Sequence, residues 1–340
     1  GYNLGDNTVR MIKDYHVGGF IILGENVKNA NQLLRLVNSL KNANSKNKTP
    51  LFLSLDQEGG RIDRMPPEFK RLPTNLQIGK IGVSRFSYAM GGILSDELNA
   101  FGFNMDFAPV LDINSNPNNP VIGDRSFGDD PDLVTRLGIQ TMNGIKSGNI
   151  IPVAKHFPGH GDTSVDSHKG LPSVNSDMQR LKNFELIPFA AAVKNNADAV
   201  MVAHILLKKI DPKYPASMSK AIITDVLRGD MKFDGVVITD DMTMGAISQN
   251  YDIGDAAVVS VQAGADIVLV CHVYENELSA VNALKRAVRN GSLTERRIDE
   301  SVYRILKLKS KYNVSGKTVK SCDIAKINAK IGDLLAAYMK

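Results

Sequence analysis

The chain has 340 residues, of which 43% are hydrophobic and 23% charged, and a formal net charge of +5. These proportions are typical of a soluble globular protein and exclude collagen-like, disordered and disulfide-rich classes. The lysines are spread along the chain instead of being clustered beside aromatic residues, which indicates a solvated surface. We therefore expect no nucleic-acid partner.

No apolar stretch approaches the roughly 18 to 20 residues that a membrane-spanning helix needs, so we expect no membrane span. Cys271 lies in an apolar run and Cys322 in the polar tail, and they do not identify a redox compartment. The chain begins GYNLGDNTVR, with neither Met nor a basic and apolar leader. This start and the polar tail favour a secreted or cell-envelope location over the cytoplasm. The oligomeric state stays open.

Seven short apolar runs recur along the chain, separated by longer segments with helical spacing. In chain order they are VGGFIIL (17–23), LFLSLD (51–56), NMDFAPV (104–110), PVAKHF (152–157), AVMVAHI (199–205), GVVITD (235–240) and DIVLVC (266–271). Runs that are apolar on both faces are typical of buried parallel strands. Between them, segments such as SRFSYAMGGILSDELNAFG place apolar residues on one helical face. The alternation predicts α/β architecture.

A helix-like stretch at residues 5–15 precedes the first of these runs. An eighth strand before Gly1 would complete a (β/α)8 barrel, so we expect a TIM-type barrel whose first strand is missing or shortened in this chain. A doubly wound open sheet is the alternative, but no G-x-G-x-x-G motif follows an early strand. We predict a catalytic barrel over residues 1–312. Residues 313–340 are then a linker and C-terminal helix, or the stub of a truncated segment.

Charged and polar residues follow the predicted strands where those strands end. These residues are Asp56, Asp112, Arg125, Lys155, His156, Asp240 and Asp241. In a barrel the catalytic groups collect at this end of the strands. A structural reading is also open, because a strand-end Asp can cap the next helix and Arg125 can pair with a neighbouring carboxylate on the surface. Lys155 is harder to explain structurally, since a buried ammonium needs a partner.

The segment KHFPGHGDTSVDSHKGLP, residues 155–172, contains three of the six histidines. A zinc site is disfavoured because the spacing matches no zinc motif and the glycines and proline leave no rigid helix. A phosphate cradle is disfavoured because the loop lacks a Lys-Ser/Thr pair at a helix start.

An acid/base loop is the reading that these residues favour. Asp166 and His168 stand two residues apart, so in an extended segment both side chains leave the same face and can touch. A carboxylate on one imidazole nitrogen fixes the tautomer and orients the other nitrogen toward a substrate. Such a dyad can donate and accept a proton near neutral pH. The glycines of the segment would let the loop close over a ligand.

Four motifs in register resemble the signature set of glycoside hydrolase family 3, in its β-N-acetylhexosaminidase (NagZ-type) branch. They are DQEGGR (56–61), VIGDRSFG (121–128), the 155–172 segment and GVVITDDMTM (235–244). The resemblance extends from about residue 5 to residue 312, and it implies a (β/α)8 barrel. It also implies a retaining, two-step hydrolysis without a metal or another cofactor.

The resemblance assigns a role to each matching position. Asp240, the first Asp of the T-D-D run, would be the nucleophile, and His168 would be the acid and then the base, tuned by Asp166. Substrate contacts carry over to five residues: Asp56, Arg64, Arg125, Lys155 and His156. Thr239 stands where the family often has Ser, and it keeps the hydroxyl.

The substrate implied by the resemblance is a carbohydrate with a terminal β-linked N-acetylglucosamine, in a peptidoglycan fragment (muropeptide) or a related glycan. A β-glucosidase, a broad exo-glycosidase or a glycoside phosphorylase of the same family is the alternative among enzymes. The alternative from another class is a catalytically inactive barrel that binds cell-wall fragments. The presence of Asp240, Asp166 and His168 argues against the inactive barrel.

Overall fold

The structure, a computed structural model, describes residues 1–339, and helices alternate with strands along most of that range. The helices are α1 (Asp6–Lys13), α2 (Ala30–Ala43), α3 (Asn75–Ile81), α4 (Ser84–Phe101), α5 (Pro131–Ser147), α6 (Met178–Asn183), α7 (Ile187–Lys194), α8 (Gly245–Ser248), α9 (Ile253–Ala263), α10 (Tyr274–Arg289), α11 (Glu295–Lys311) and α12 (Ile324–Tyr338). The strands are β1 (Gly19–Ile21), β2 (Phe52–Leu55), β3 (Met105–Asp106), β4 (Ile151–Phe157), β5 (Ser173–Val174), β6 (Ala199–Val202), β7 (Leu206–Leu207), β8 (Val236–Asp241) and β9 (Ile267–Leu269). A π-helical segment covers Ala221–Asp230.

The predicted α/β class is confirmed. Each of the seven apolar runs overlaps a strand, and the helix-like stretch before the first run contains α1. The two-residue strands β5 and β7, which pair with each other in parallel, were not predicted because two residues carry no periodic signal.

The chain divides into two compact units. The first contains Gly1–Pro109, Arg136–Val153 and the residues from Lys309 to the end of the described chain, and the second contains Val110–Thr135 and Ala154–Leu308. Strand β4 begins in the first unit and ends in the second. The boundary predicted at residue 312 stays a prediction, and Lys340, within the predicted 313–340 segment, lies outside the described residues.

In the first unit β1, β2, β3 and the start of β4 follow one another in a sheet whose pairs are parallel. Every residue of β2 is buried, which explains why its sequence is apolar on both faces. Helix α12 packs on α4 through Tyr338, whose ring stacks on that of Phe86 with centroids 4.7 Å apart. Ile327 and Ile331 are the buried residues of α12. The C-terminal helix is therefore part of this unit's core.

In the second unit the end of β4 is followed in the sheet by β6, β8 and β9. Strands β6 and β8 pair in parallel from Ala199 opposite Val236 to Val202 opposite Thr239. The ring of Phe157 meets that of Phe189 of α7 edge to face, with centroids 5.3 Å apart, and both side chains are buried. The strand ends that carry Lys155, His156 and Asp240 belong to this unit.

Asp266, immediately before β9, is the centre of a buried ionic network in the second unit. Its side chain is fully buried and accepts hydrogen bonds from Arg228 (2.6 Å), Ser301 (2.7 Å) and Arg304 (3.3 Å). Arg297 lies 3.6 Å from the same carboxylate. One carboxylate thus contacts three guanidinium groups and ties the π-helical segment to α11.

We predict that Asp266→Asn lowers the free energy of unfolding by about 3 to 5 kcal/mol, because it leaves buried guanidinium groups without their counter-charge. Asp234→Asn is the matched control, since Asp234 contacts Arg304 with a side chain that is 72% exposed. We expect it to cost less than about 1 kcal/mol. Chemical denaturation of both variants measures the difference, and equal effects would contradict the role given to Asp266.

Candidate active site

Polar side chains of the second unit gather where β4 and β8 end. We call Asp112, Arg125, Lys155, His156 and Asp240 the strand-end cluster. Lys155 and His156 are only 1% and 6% exposed although both are polar. Burial of such groups has a high free-energy cost unless they are hydrogen-bonded or paired with opposite charge. The cluster therefore needs the specific contacts described next.

Asp112 binds His156 and through it orients Arg125. Its Oδ2 lies 2.6 Å from Nδ1 of His156, and Nε2 of the same ring lies 3.3 Å from the Arg125 guanidinium. A carboxylate accepts and a guanidinium donates, so Nδ1 of the ring faces the Asp112 carboxylate and Nε2 faces the Arg125 guanidinium. Burial alone would raise the pKa of Asp112, but the charge and hydrogen bond of His156 and the contacts of His160 lower it below its ordinary value.

Sequence reasoning noted Asp112 at a strand end but assigned it no role. Its position two residues beyond the run NMDFAPV is the only sequence signal. The structure shows that it is fully buried and that its Oδ1 also accepts from the backbone N–H of His160 at 2.6 Å. Asp112 thus holds the first half of the 155–172 segment against the 110–128 loop.

Asp240 and Asp241 end strand β8 and have different environments. Asp241 accepts from the backbone N–H groups of Thr243 (2.9 Å) and Cys271 (3.0 Å) and from the Thr243 hydroxyl (2.6 Å). It therefore shapes the turn after β8. Asp240 accepts from the backbone N–H of Asp241 at 2.8 Å.

The surroundings of Asp240 keep its carboxylate ionised. Burial alone would raise its pKa, but the charges of His204, His156 and Lys155 and the Asp241 N–H lower it below the ordinary value. His204 is fully buried between the hydroxyl of Ser217 (2.7 Å) and the backbone oxygen of Asp241 (2.9 Å), and burial lowers its own pKa. Asp240 is consequently an anion at a strand end that is lined by imidazoles and an ammonium.

The predicted contact between Asp166 and His168 is present. Oδ1 of Asp166 lies 2.8 Å from Nδ1 of His168 and also accepts the His168 backbone N–H at 2.9 Å. The imidazole is 66% exposed and the carboxylate 24%. Burial alone would raise the pKa of Asp166, but the His168 hydrogen bonds lower it. The dyad is thus assembled on the surface of the second unit, with Nε2 of the ring directed away from the carboxylate.

His160, in the first half of the 155–172 segment, is a buried structural residue. Its Nδ1 lies 2.8 Å from the Thr163 hydroxyl, and its Nε2 lies 3.4 Å from the hydroxyl of Ser167, between the two dyad residues. Burial, and secondarily the charge of His156, lowers its pKa to about 4. His160 is therefore neutral near pH 7. Among residues 1–339, no group of three or more His, Cys, Asp or Glu side chains is arranged to hold a metal ion.

Asp56 and Arg64 lie in the first unit, in the loop after β2. The buried Gln57 organises that loop, since its Oε1 accepts the Arg64 backbone N–H at 2.7 Å and its Nε2 donates to Glu97 at 2.8 Å. Full burial and nearby carboxylates raise the pKa of Glu97 well above its ordinary value. Neither Gln57 nor Glu97 was identified from the sequence.

Parallel strands that end in an ionised carboxylate, a lysine and hydrogen-bonded imidazoles characterise an α/β domain with a candidate active site. Residues 2–308 match the family described as "Glycosyl hydrolase family 3 N terminal domain". The chain belongs to glycosyl hydrolase family 3, and the resemblance seen in its four motifs is confirmed.

Individual relatives agree with this assignment. Beta-hexosaminidase A of Pseudoalteromonas piscicida is 35% identical over 95% of this chain and 57% of its own length. A beta-hexosaminidase of Neisseria meningitidis is 37% identical over 80% of this chain and 76% of its own. The solved structure of a family 3 beta-N-acetylglucosaminidase from Paenibacillus sp. str. FPU-7 superposes with a TM-score of 0.94 at 40% identity, covering 99% of this chain and 66% of that one. The chain thus spans a little over half of the Pseudoalteromonas protein and about two thirds of the Paenibacillus one.

Within the described residues, no helix combines the length and the apolar character needed to cross a membrane.

We predict that His160 makes the stability of the fold depend on pH. Its pKa is about 4 in the folded protein against an ordinary 6.5, so the unfolded state binds more protons between these values. The free energy of unfolding contributed by neutral His160 is therefore present at about pH 7 and falls by on the order of 3 kcal/mol toward about pH 4.

Denaturant unfolding of the wild type and His160→Gln at a series of pH values measures this contribution. The difference in unfolding free energy between the two proteins should shrink as the pH falls. His16→Asn removes an exposed histidine with φ of 51°, a conformation that Asn adopts readily, and should keep the wild-type slope. A difference that does not change with pH would rule out the neutral, buried state of His160.

Proposed function

We propose that this protein is a retaining exo-β-N-acetylglucosaminidase that removes terminal β-linked N-acetylglucosamine from peptidoglycan fragments or related glycans. The observation that carries the proposal is an ionised Asp240 at the end of β8 in the same unit as an assembled Asp166–His168 dyad. Relatives named beta-hexosaminidase and beta-N-acetylglucosaminidase support the sugar class.

In the first step a carboxylate oxygen of Asp240 attacks the anomeric carbon and forms a glycosyl-enzyme ester. The glycosidic bond breaks as its electron pair moves to the leaving oxygen, which takes the proton from Nε2 of His168. Asp166 keeps the other imidazole nitrogen protonated and stabilises the imidazolium form, as its 2.8 Å contact allows. The low pKa of Asp240 suits a nucleophile that must be ionised before attack.

In the second step His168 acts as the base. It removes a proton from water, and the water oxygen attacks the anomeric carbon on the face from which the leaving group departed. The ester bond to Asp240 breaks and the carboxylate is regenerated. Two inversions at one carbon give net retention. No metal or other cofactor takes part in either step.

The sugar-binding roles that the family resemblance implies for Asp56, Arg64, Arg125, Lys155 and His156 are part of this proposal. The Asp112–His156–Arg125 chain holds an imidazole and a guanidinium in one orientation, which suits recognition of sugar hydroxyls. Nε of Arg64 is buried and has no hydrogen-bond partner among residues 1–339. A buried unpaired donor is costly, so its pairing with a sugar oxygen would contribute to binding.

The eight-stranded barrel with a missing or shortened first strand is part of the same proposal. It is supported by seven strands in chain order with helices between them and by membership of family 3.

Asp240→Asn should lower kcat on an aryl β-N-acetylglucosaminide by at least about 10³-fold, because an amide cannot form the ester intermediate. Asp230→Asn is the control, since Asp230 is an exposed residue paired with Lys182 on the surface. The rates of both variants are measured at equal concentrations of folded protein. Retention of most activity by the Asn variant would refute the nucleophile assignment.

Parallel assays distinguish the alternatives. Faster turnover of aryl β-glucoside than of aryl β-N-acetylglucosaminide would make the protein a β-glucosidase or a broad exo-glycosidase. Sugar 1-phosphate as the product in phosphate buffer would make it a phosphorylase. Binding of muropeptides by a wild type with no turnover of any glycoside would favour the inactive binding protein.

A further inference from the structure

Three consecutive carbonyl groups of the dyad-bearing segment are bound by donors from the short helix α8 and from Gln249, the residue that follows it. The backbone N–H of Ala246 donates to the oxygen of Ser167 (2.9 Å), and that of Gly245 donates to the oxygen of His168 (3.3 Å). The side-chain amide of Gln249 donates to the oxygen of Lys169 (3.3 Å). We call Ser167, His168 and Lys169, together with these three bonds, the loop dock.

The loop dock connects the two catalytic groups of the proposed mechanism through the backbone. Helix α8 begins five residues after Asp240, and the intervening turn is fixed by the contacts of Asp241 with Thr243. Residue 168 is held on the first turn of that helix. The position of the His168 imidazole relative to the Asp240 carboxylate therefore depends on how closely the loop approaches α8.

Gly245 sets that approach distance. A Cβ atom at this position would lie 2.6 Å from the backbone oxygen of His168, where ordinary contacts begin at 3.4 Å. A side chain at position 245 would consequently force the His168 backbone and the start of α8 apart by about 0.8 Å, the difference between these two distances. A misplacement of about 1 Å in a reacting group can cost about 10²-fold in rate.

The opposite side of the dyad segment is held by buried groups. Ser167 is buried and its hydroxyl lies 3.4 Å from Nε2 of His160, whose backbone N–H is bound to Asp112. The segment is thus held between the strand-end cluster and α8, while the His168 side chain itself projects into solvent. This arrangement fixes the backbone of the acid/base residue and leaves its imidazole free to exchange protons.

We propose that Gly245 is a positioning residue for acid/base catalysis, with Ala246 and Gln249 completing the loop dock. The residue contributes no reacting atom; it permits the close contact that places His168. The proposal rests on the proposed glycosidase function. It predicts that altering the loop dock impairs proton donation more than it impairs nucleophilic attack.

The test compares Gly245→Ala with the wild type on two aryl β-N-acetylglucosaminides. Bond cleavage in the phenyl glycoside requires an acid, whereas the dinitrophenyl leaving group departs without one. We expect kcat/KM for the phenyl glycoside to fall by about 10- to 100-fold and kcat/KM for the dinitrophenyl glycoside to fall by less than about 3-fold. Gly92→Ala is the matched control, since a Cβ at Gly92 has no atom within 4 Å. It should change neither value.

A second variant covers the case in which Gly245→Ala folds poorly. Gln249→Glu keeps the shape of an exposed side chain but places a carboxylate oxygen against the Lys169 carbonyl. We expect the same selective loss on the phenyl glycoside, about 3- to 10-fold. An equal loss on both glycosides in both variants, or no loss on either, would overturn the positioning role.

Limited trypsin digestion tests the loop dock without reference to activity. Lys169 is exposed, and its backbone carbonyl is one of the three that the loop dock holds. If Gly245→Ala loosens the loop dock, trypsin should cleave the Lys169–Gly170 bond several-fold faster in this variant than in the wild type or Gly92→Ala. If the wild type hydrolyses neither glycoside, the proposed function fails while the cleavage rate still reports on the dock. If neither the cleavage rate nor the ratio of activities on the two glycosides changes, the positioning role of Gly245 is refuted and the proposed function still stands.

Discussion

The buried carboxylate of Asp112 is the interaction on which the candidate site depends. It holds the imidazole of His156 by Nδ1, receives the backbone N–H of His160, and through His156 orients Arg125. A fully buried carboxylate is stable only when its lone pairs are occupied, and these donors occupy them. One anion therefore fixes the end of β4 and the start of the segment that carries the dyad.

The second unit shows a division between rigid and exposed parts. Asp240, Lys155 and His156 project from strand ends whose backbone is held in the sheet, and such positions give the proposed nucleophile and the proposed sugar-binding groups little freedom. The dyad lies on a loop, where proton exchange with water is possible. Within the described residues 1–339, the loop has no strand-to-strand hydrogen bonds of its own at the dyad. Its backbone is held instead by hydrogen bonds from α8 and by the contact of Ser167 with His160.

Neighbouring residues of similar chemistry acquire different functions here because their surroundings differ. Asp241 is bound by Thr243 and Cys271 and completes a turn, whereas Asp240 lies among positive and imidazole groups that lower its pKa. His160 and His168, which lie eight residues apart in one segment, also differ in their surroundings. Burial makes the first a neutral structural residue, while the second is exposed and paired with a carboxylate.

The sequence by itself determined the alternation of strands and helices, the family, and the contact between Asp166 and His168, because periodicity, motif order and a spacing of two residues are local properties. Only the tertiary structure identified Asp112 as the partner of His156, assigned Asp241 to a turn, and brought Gly245 against His168. Asp112 and His156 are 44 positions apart, and His168 and Gly245 are 77 positions apart. The role of Asp241 depends on the donors that surround its carboxylate. Such relations arise only when the chain folds back on itself, and no local pattern encodes them.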